Sequence, residues 1–298
     1  MKILVVGSIN MDLVTYVNLL PKQGETIFGN AFMQNPGGKG ANQACAIGLL
    51  GGDVTMLGAI GDDSHGMVLK ETLKKCNVKP VLKVSKKSTG CASIIIEEEI
   101  HDNRIIVSPG ANDDLSVDDI DNNINLIKEA DIIVSQLEIP LQTVCHLADQ
   151  AKIYHKIFIL NPAPGKILPD DLLINVTYLT PNETELSLIS NIKINDETSF
   201  NGACKKLIDK GVSNLLVTLG SKGVYLYNKK EQKLIPAFKV KALDTTAAGD
   251  CFNGAFATSL ANNYSLSNAI LYAQKASSLC VQRKGAIMSL PKKEEIMF

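Results

Sequence analysis

Met1-Lys2-Ile3-Leu4-Val5-Val6-Gly7-Ser8-Ile9-Asn10-Met11-Asp12 opens the chain and decides how the rest is read. The apolar run from Ile3 to Ile9 stops at polar residues, as a strand buried on both faces does where it leaves a sheet at its carboxyl edge. Asn10 and Asp12 then stand at that edge. Similar runs recur at Ile132 to Val134, Ile157 to Leu160, Val176 to Leu179 and Leu215 to Leu219. Helix-compatible stretches separate them, an alternation that predicts an α/β fold with a doubly wound, mostly parallel central sheet flanked by helices. Polar residues gather after several strand ends: Gln136 and Glu138, Asn161, Asn182 and Glu185, then Gly220 and Ser221. In an open α/β sheet that edge is where ligands bind.

A different texture marks Leu13 to Asn18, Glu25 to Phe28, Ala92 to Glu97 and Arg104 to Val107, where short β-prone runs are joined by turns with no helix between them. These predict a small antiparallel sheet inserted from about 13–34 and 91–108, folding over one edge of the main sheet as a lid. With no linker, low-complexity tract or fixed-period repeat, residues 1–298 read as one domain carrying that lid.

Composition removes whole classes of function. Thirty Lys and Arg against 31 Asp and Glu leave a net charge of -1, so no global field holds a nucleic acid or an acidic membrane. Seven scattered cysteines, none in a C-x-x-C pair, argue against a disulfide framework or zinc site. Histidines 65, 101, 146 and 155 form no metal-ligand spacing. The first apolar run is broken by Asp12 before a signal-peptide core could form, and no stretch is apolar enough to span a bilayer. The expectation is a reduced, cytoplasmic protein.

Two glycine-rich segments carry the chemistry. Asn35-Pro36-Gly37-Gly38-Lys39-Gly40-Ala41-Asn42-Gln43-Ala44 places three glycines around a lysine before a helix-compatible run. Backbone amides can approach a ligand closely there, beside the positive end of a helix. The segment fits neither the Walker A loop nor the dinucleotide fingerprint, and a plain turn and helix start also accounts for it. Asp244-Thr245-Thr246-Ala247-Ala248-Gly249-Asp250 sets two acids six residues apart and leads into a helical run from Phe252 to Leu260. A helix cap explains a lone Asp; the Ala-Ala-Gly run goes further, because small residues leave consecutive N–H groups open as an anion nest. A carboxylate beside such a nest is what phosphoryl transfer asks for: a base for a hydroxyl, and donors for the charge spreading over the phosphoryl group. Thr180 to Glu185 reads as a capping box, with Asn182 and Glu185 on one helix face, and Thr218 to Gly223 as a strand and turn.

Taken in order, these segments resemble the ribokinase family of sugar kinases. The matching stretches are Gly7 to Asp12, Gly37 to Ala44, Gln136-Leu137-Glu138, Asn161-Pro162-Ala163-Pro164, Pro181 to Glu185, Thr218-Leu219-Gly220-Ser221 and Asp244 to Asp250. Ala247-Ala248-Gly249-Asp250 resembles the ribokinase form of a motif that many relatives write with Gly-Ala-Gly-Asp. The resemblance implies ATP-dependent phosphorylation of D-ribose at its 5-hydroxyl. It implies that Asn10, Asp12, Gly38, Lys39, Asn42 and Glu138 bind the sugar, that Asp250 is the catalytic base, and that Ala247, Ala248 and Gly249 form the anion hole. For the nucleotide it points to Asn182, Thr218, Gly220, Ser221, Gly223, Gly249 and Gln274, with Glu185 organising magnesium through water. Potassium would be held by Asp244, Thr246, Cys280, Arg283, Gly285 and Ser289. Cys251, Cys280 and Met288 depart from the residues expected around that cation site. The apolar lid edges, Thr26 to Gln34 and Ala92 to Val107, imply a homodimer formed through the lids. A kinase of 2-deoxyribose, fructose or a nucleoside is the alternative, then a sugar sensor without turnover. A nicotinamide oxidoreductase would need a glycine fingerprint that is missing after the first strand.

Overall fold

The computed structural model describes residues 1–100 and 102–296; His101 and the last two residues of the 1–298 span lie outside them. The strands are β1 Lys2–Val6, β2 Asn10–Val17, β3 Ala31–Gly37, β4 Asp53–Gly61, β5 Val78–Ser85, β6 Gly90–Glu97, β7 Asp102–Ser108, β8 Ile132–Ser135, β9 Ile157–Leu160, β10 Tyr178–Leu179, β11 Asn214–Thr218, β12 Val224–Asn228 and β13 Gln232–Ile235. The helices are α1 Lys39–Leu49, α2 Ser64–Lys75, α3 Val117–Asn122, α4 Ile124–Glu129, α5 Leu141–Ile153, α6 Asp170–Leu173, α7 Glu183–Ser190, α8 Glu197–Asp209, α9 Ala248–Ala261 and α10 Leu266–Cys280.

Nine strands form the large sheet in the order β13-β12-β11-β10-β9-β8-β1-β4-β5. Pairing is parallel from β11 to β5 and antiparallel only at β12 and β13. Alternate residues of β1 serve two separate cores. Ile3 and Val5 pack with Ile47, Phe256 and Ile270 on one face, and Leu4 and Val6 with Leu147, Phe158 and Leu207 on the other. That two-sided burial is why the strands read as unbroken apolar runs. The small sheet has the order β3-β2-β6-β7. Strand prolines fall where a missing N–H costs no ladder bond: Pro36 lies in β3 and Pro80 in β5, each the outer strand of its sheet.

Several boundaries differ from the sequence expectation. The first strand ends at Val6 and not at Ile9. Gly7 still bonds Leu57, but the Ile9 backbone is held by the Asn112 side chain and the chain crosses into the lid. Lid strand β2 therefore starts at Asn10, three residues before the expected Leu13. Glu25 to Phe28 is not a strand; the partner of β2 is β3, registered from Asn10 opposite Gly37 to Tyr16 opposite Ala31. That register is pinned by the glycine-rich end, which leaves the stretch from Asn18 to Asn30 to close the connection. β2 and β6 pair in parallel, so the lid is mixed and not purely antiparallel. Strands β4 and β5 escaped the sequence reading, and the expected Val176 to Leu179 shrinks to Tyr178 and Leu179.

Helices α1 and α9 lie unusually close because small residues face each other. A Cβ on Gly254 would fall 2.6 Å from the Ala46 Cβ and 2.8 Å from the Gln43 carbonyl oxygen. This close approach brings the N-terminal turns of both helices to one place above the sheet.

Candidate active site

Ala247 caps α9 in the left-handed conformation, φ 57°. The chain thus turns sharply into the helix, and the Gly249 and Asp250 amides sit in a first turn that offers them no intrahelical acceptor. The expected nest is narrower than its motif, since Ala248 N–H is taken by the Thr245 carbonyl at 3.2 Å in the turn before the helix. Gly249 is exposed, whereas its neighbour Asp250 is 6% exposed.

The Asp250 carboxylate accepts from Asn42 Nδ2 and from Gln43 Nε2, both at 2.9 Å. Burial pushes its pKa up, as does Glu138, while Lys39 and the two amides pull it back. Lys39 lies at the start of α1 among carboxylates. Burial works to lower it, but Asp250, Glu138, Glu185 and Asp12 more than offset that and hold the ammonium above its usual value. Asp12, on the lid strand β2, is pushed up to about 7 by burial and then by the charges of Glu138 and Asp250. The sugar-site candidates Asn10, Asp12, Gly38, Lys39, Asn42 and Glu138 are thus assembled at the junction of lid and sheet. Gly38 is required there: its φ is +90°, and a Cβ would lie 2.6 Å from the Asn10 nitrogen.

On the other side of Gly249 opens a cleft of about 580 Å³. Asn182, Thr218, Gly220, Ser221, Gly223, Gly249 and Gln274 all line it, as expected of a nucleotide site, together with Phe238, Val240 and Phe252. Gln274 donates to the Ile235 carbonyl at 2.8 Å, and its own Oε1 is buried without a hydrogen-bond partner. Asn182 and Glu185 form the reciprocal capping box of α7. Burial, followed by the charge of Asp250, raises the Glu185 carboxyl against the pull of Asn182 and Lys39. A nearby cation would favour the ionised form against that burial and repulsion, so the Glu185 carboxyl fits a place beside a magnesium ion.

The potassium candidates also converge. Asp244 accepts from Thr246 N–H at 2.9 Å and from Gly285 N–H at 2.8 Å. Burial works to raise its carboxyl, but the hydrogen bonds from Thr246 and Gly285 and the charge of Lys284 hold it below the usual range. Cys280 Sγ contacts Ser289 Oγ at 3.1 Å and the Thr246 carbonyl at 3.9 Å, bridging the two segments. The Arg283 side chain is paired with Glu295, which leaves only its carbonyl for a cation. One carboxylate with backbone carbonyls and a hydroxyl makes a hard, singly negative donor set, which fits a monovalent cation. Met288 is 79% exposed. No group of three or more His, Cys, Asp or Glu side chains is arranged for a metal among the described residues.

Three functional neighbours were missed in the motifs. Gln43 donates to both Asp250 and Asn161. Ser8 donates to Glu138 at 2.6 Å, and Asn112 donates to Asn10 Oδ1 at 2.7 Å. Gln43 and Ser8 lie inside quoted motifs and had a signal; Asn112 is distant in sequence and had none.

Residues 1–293 match the pfkB family of carbohydrate kinases. The chain is 41% identical to a ribokinase of Schizosaccharomyces pombe, over 99% of this chain and 96% of that one. It is 36% identical to a deoxyribokinase of Salmonella typhi, over 99% and 97%. Among solved structures it resembles Arabidopsis thaliana ribokinase complexed with ribose and ATP, at a TM-score of 0.90 and 32% identity, covering 98% of this chain and 96% of that one. A clamped acid at a helix start, a polar pocket on one side of it and a glycine-lined cleft on the other thus sit in a chain that belongs to the pfkB family of carbohydrate kinases.

Proposed function

We propose that this protein phosphorylates D-ribose at the 5-hydroxyl with ATP. The observation that carries the reading is the position of Asp250, fixed by two amides between the pocket of Asn10, Asp12, Lys39 and Glu138 and the cleft lined by Gly249. Asn10, Asp12, Asn42 and Glu138 offer acceptors and donors to neighbouring sugar hydroxyls, and Lys39 balances their charge. Asp250 accepts the proton of the 5-hydroxyl as its oxygen bonds the γ-phosphorus and the bond to the ADP oxygen breaks. An alcohol is so weak an acid that this proton moves late, and alignment of the hydroxyl matters more than basicity. The Gly249 and Asp250 amides donate to the equatorial oxygens as charge spreads over them. Glu185 would help hold magnesium through water, and the ion would supply neutralising charge to the phosphates. Asp244, Thr246, Cys280, Arg283, Gly285 and Ser289 would hold a potassium ion, whose positive charge would help set the turn leading into α9.

The likeness to a deoxyribokinase keeps 2-deoxyribose in view. A site that hydrogen-bonds the 2-hydroxyl rejects the deoxy sugar by leaving buried partners unpaired. The test is ADP release from ATP and magnesium with D-ribose, 2-deoxyribose, fructose and adenosine, each with and without potassium. Ribose-selective turnover that rises with potassium is expected. Turnover of another sugar overturns the pocket reading alone, and ribose binding without turnover hands the lead to a sensor.

The free cysteines suit a reducing cytoplasm, which is where we place the reaction. No described helix is long and apolar enough to cross a membrane. The lid edges carry Phe32, Met33, Ile105, Ile106 and Val107 exposed, with Ile106 at 66%, on outer strands β3 and β7 that have unpaired edges. We assign this surface to a second copy of the chain, so sedimentation should give a dimer and Ile106→Asp a monomer.

A further inference from the structure

Hydrogen bonding in the wall behind Asp250 runs in one direction only. An ionised carboxylate accepts and cannot donate, so Gln43 must turn Nε2 toward Asp250 and Oε1 away from it. That Oε1 accepts from Gln136 Nε2 at 2.7 Å. Gln136 is thereby left with its own Oε1 buried and without a partner. Both glutamines are fully buried, and leaving one carbonyl unpaired there carries the desolvation penalty of that group. The alternatives are worse. Reversing Gln136 alone sets two carbonyl oxygens against each other, and reversing both presents the Gln43 carbonyl to the Asp250 carboxylate. The chain also ends where only glycine fits: a Cβ on Gly7 would lie 2.0 Å from Gln136 Oε1. Gln136 itself follows directly on β8 in the centre of the sheet, so its backbone is the firmest member of the set.

We propose that Gln136 is a positioning residue for phosphoryl transfer: by donating to Gln43 Oε1 it holds that amide in the place and orientation that Asp250 requires, and so keeps the carboxylate aimed at the sugar hydroxyl. Gln136 touches neither sugar nor nucleotide in this scheme, and the inference rests on Asp250 acting as the base. Asn161 adds a second acceptor for Gln43 Nε2 at 3.1 Å, but it holds the same nitrogen. Among the described residues only Gln136 engages the oxygen.

Gln136→Met keeps the length and bulk of the side chain and removes its donor. Steady-state kinetics should show kcat roughly tenfold lower, as small misalignments of a reacting group do. KM for D-ribose should stay within about twofold, because the sugar contacts are untouched. In a Gln43→Ala background the same substitution should change kcat by less than about twofold, since its effect passes through Gln43. An unchanged kcat, a loss carried by KM, or an equal loss in the Gln43→Ala background would each overturn the proposal. Should Gln136→Met not fold, Gly7→Ala probes the far end of the chain. Its Cβ displaces Gln136 Oε1, and the same loss confined to kcat is expected, vanishing in the Gln43→Ala background. Asp250→Asn separates the two readings: full turnover there removes the base and with it this inference, whereas an inactive Asp250→Asn beside an unimpaired Gln136→Met removes the inference alone.

Discussion

Two carboxylates face the same pocket from different supports. Asp250 stands on a buried helix, packed against another through Gly254 and Ala46, and two amides hold it. Asp12 stands on a lid strand, accepts no hydrogen bond among the described residues, and titrates near 7. The first is organised before any substrate arrives. The second is a charge kept out of water without donors, a state that sugar hydroxyls would stabilise. The contrast assigns chemistry to the helix seam and recognition to the lid edge.

The largest effect should come from the seam. Asp250→Asn keeps the shape but leaves one acceptor oxygen for the two amides and removes the proton acceptor, so kcat for ADP release should fall by roughly 10²- to 10⁴-fold. KM for D-ribose should change little by comparison. A drop confined to KM would mean that Asp250 is a recognition group like Asp12, and the division between the two regions would fail.

Asp12→Asn should give the reverse pattern. As pH rises through about 7, Asp12 becomes a carboxylate able to accept from two hydroxyls, so KM for D-ribose should fall over that range in the parent and stay flat in the variant. Stability should move the other way. The folded carboxyl titrates near 7 against an ordinary aspartate value of 3.8, so the folded state retains a proton that the unfolded chain has already released. Folding stability therefore declines as pH climbs between those values and stays reduced above them. Removing the carboxylate should raise Tm at pH 8, by the equivalent of at most a few kcal/mol, and leave it unchanged near pH 4. Equal Tm values at pH 8 would show that Asp12 is not desolvated.

The link between the two regions is Gly38, between lid strand β3 and α1. Gly38→Ala sets a Cβ against the Asn10 backbone at a positive φ, which should cost about 1–3 kcal/mol in thermal unfolding and raise KM for ribose more than it lowers kcat. A fully stable variant with parental KM would separate the glycine turn from the sugar pocket.

The seam was legible in the sequence and the lid was only partly so, for physical reasons. Strands that are apolar without interruption, such as β1 and β8, declare themselves, whereas β4, buried along most of its length, is interrupted by Thr55 and Gly58 and does not. The glycine and alanine motifs mark places where helices and backbone must approach closely, so their residues appear together. Lid strands are half exposed, as the surface residues of β3 show, and their pattern blurs; hence Glu25 to Phe28 looked like a strand that the register from Gly37 displaced. Asn112 holds the Ile9–Asn10 crossing from more than a hundred residues away, and no local pattern encodes that pairing. The polarity of the Gln43 and Gln136 amides was equally hidden, because residue type alone does not say which end of an amide meets a carboxylate.

The smallest effect tests how rigid the seam must be. Ala247 occupies the left-handed region, which costs a residue with a Cβ about 1–2 kcal/mol relative to glycine. Ala247→Gly removes that strain but loosens the unfolded chain by about 0.5–1 kcal/mol, so the two terms nearly cancel. Tm should stay within a few degrees of the parent, by a net change of less than about 1 kcal/mol. If the seam is held by the Gly254–Ala46 contact and the amides on Asp250, as the hydrogen bonds imply, kcat should also stay within about twofold. A tenfold loss of kcat at unchanged Tm would instead place part of the alignment in the Ala247 Cβ, and the first turn of α9 would then share with its neighbours the task of aiming the base.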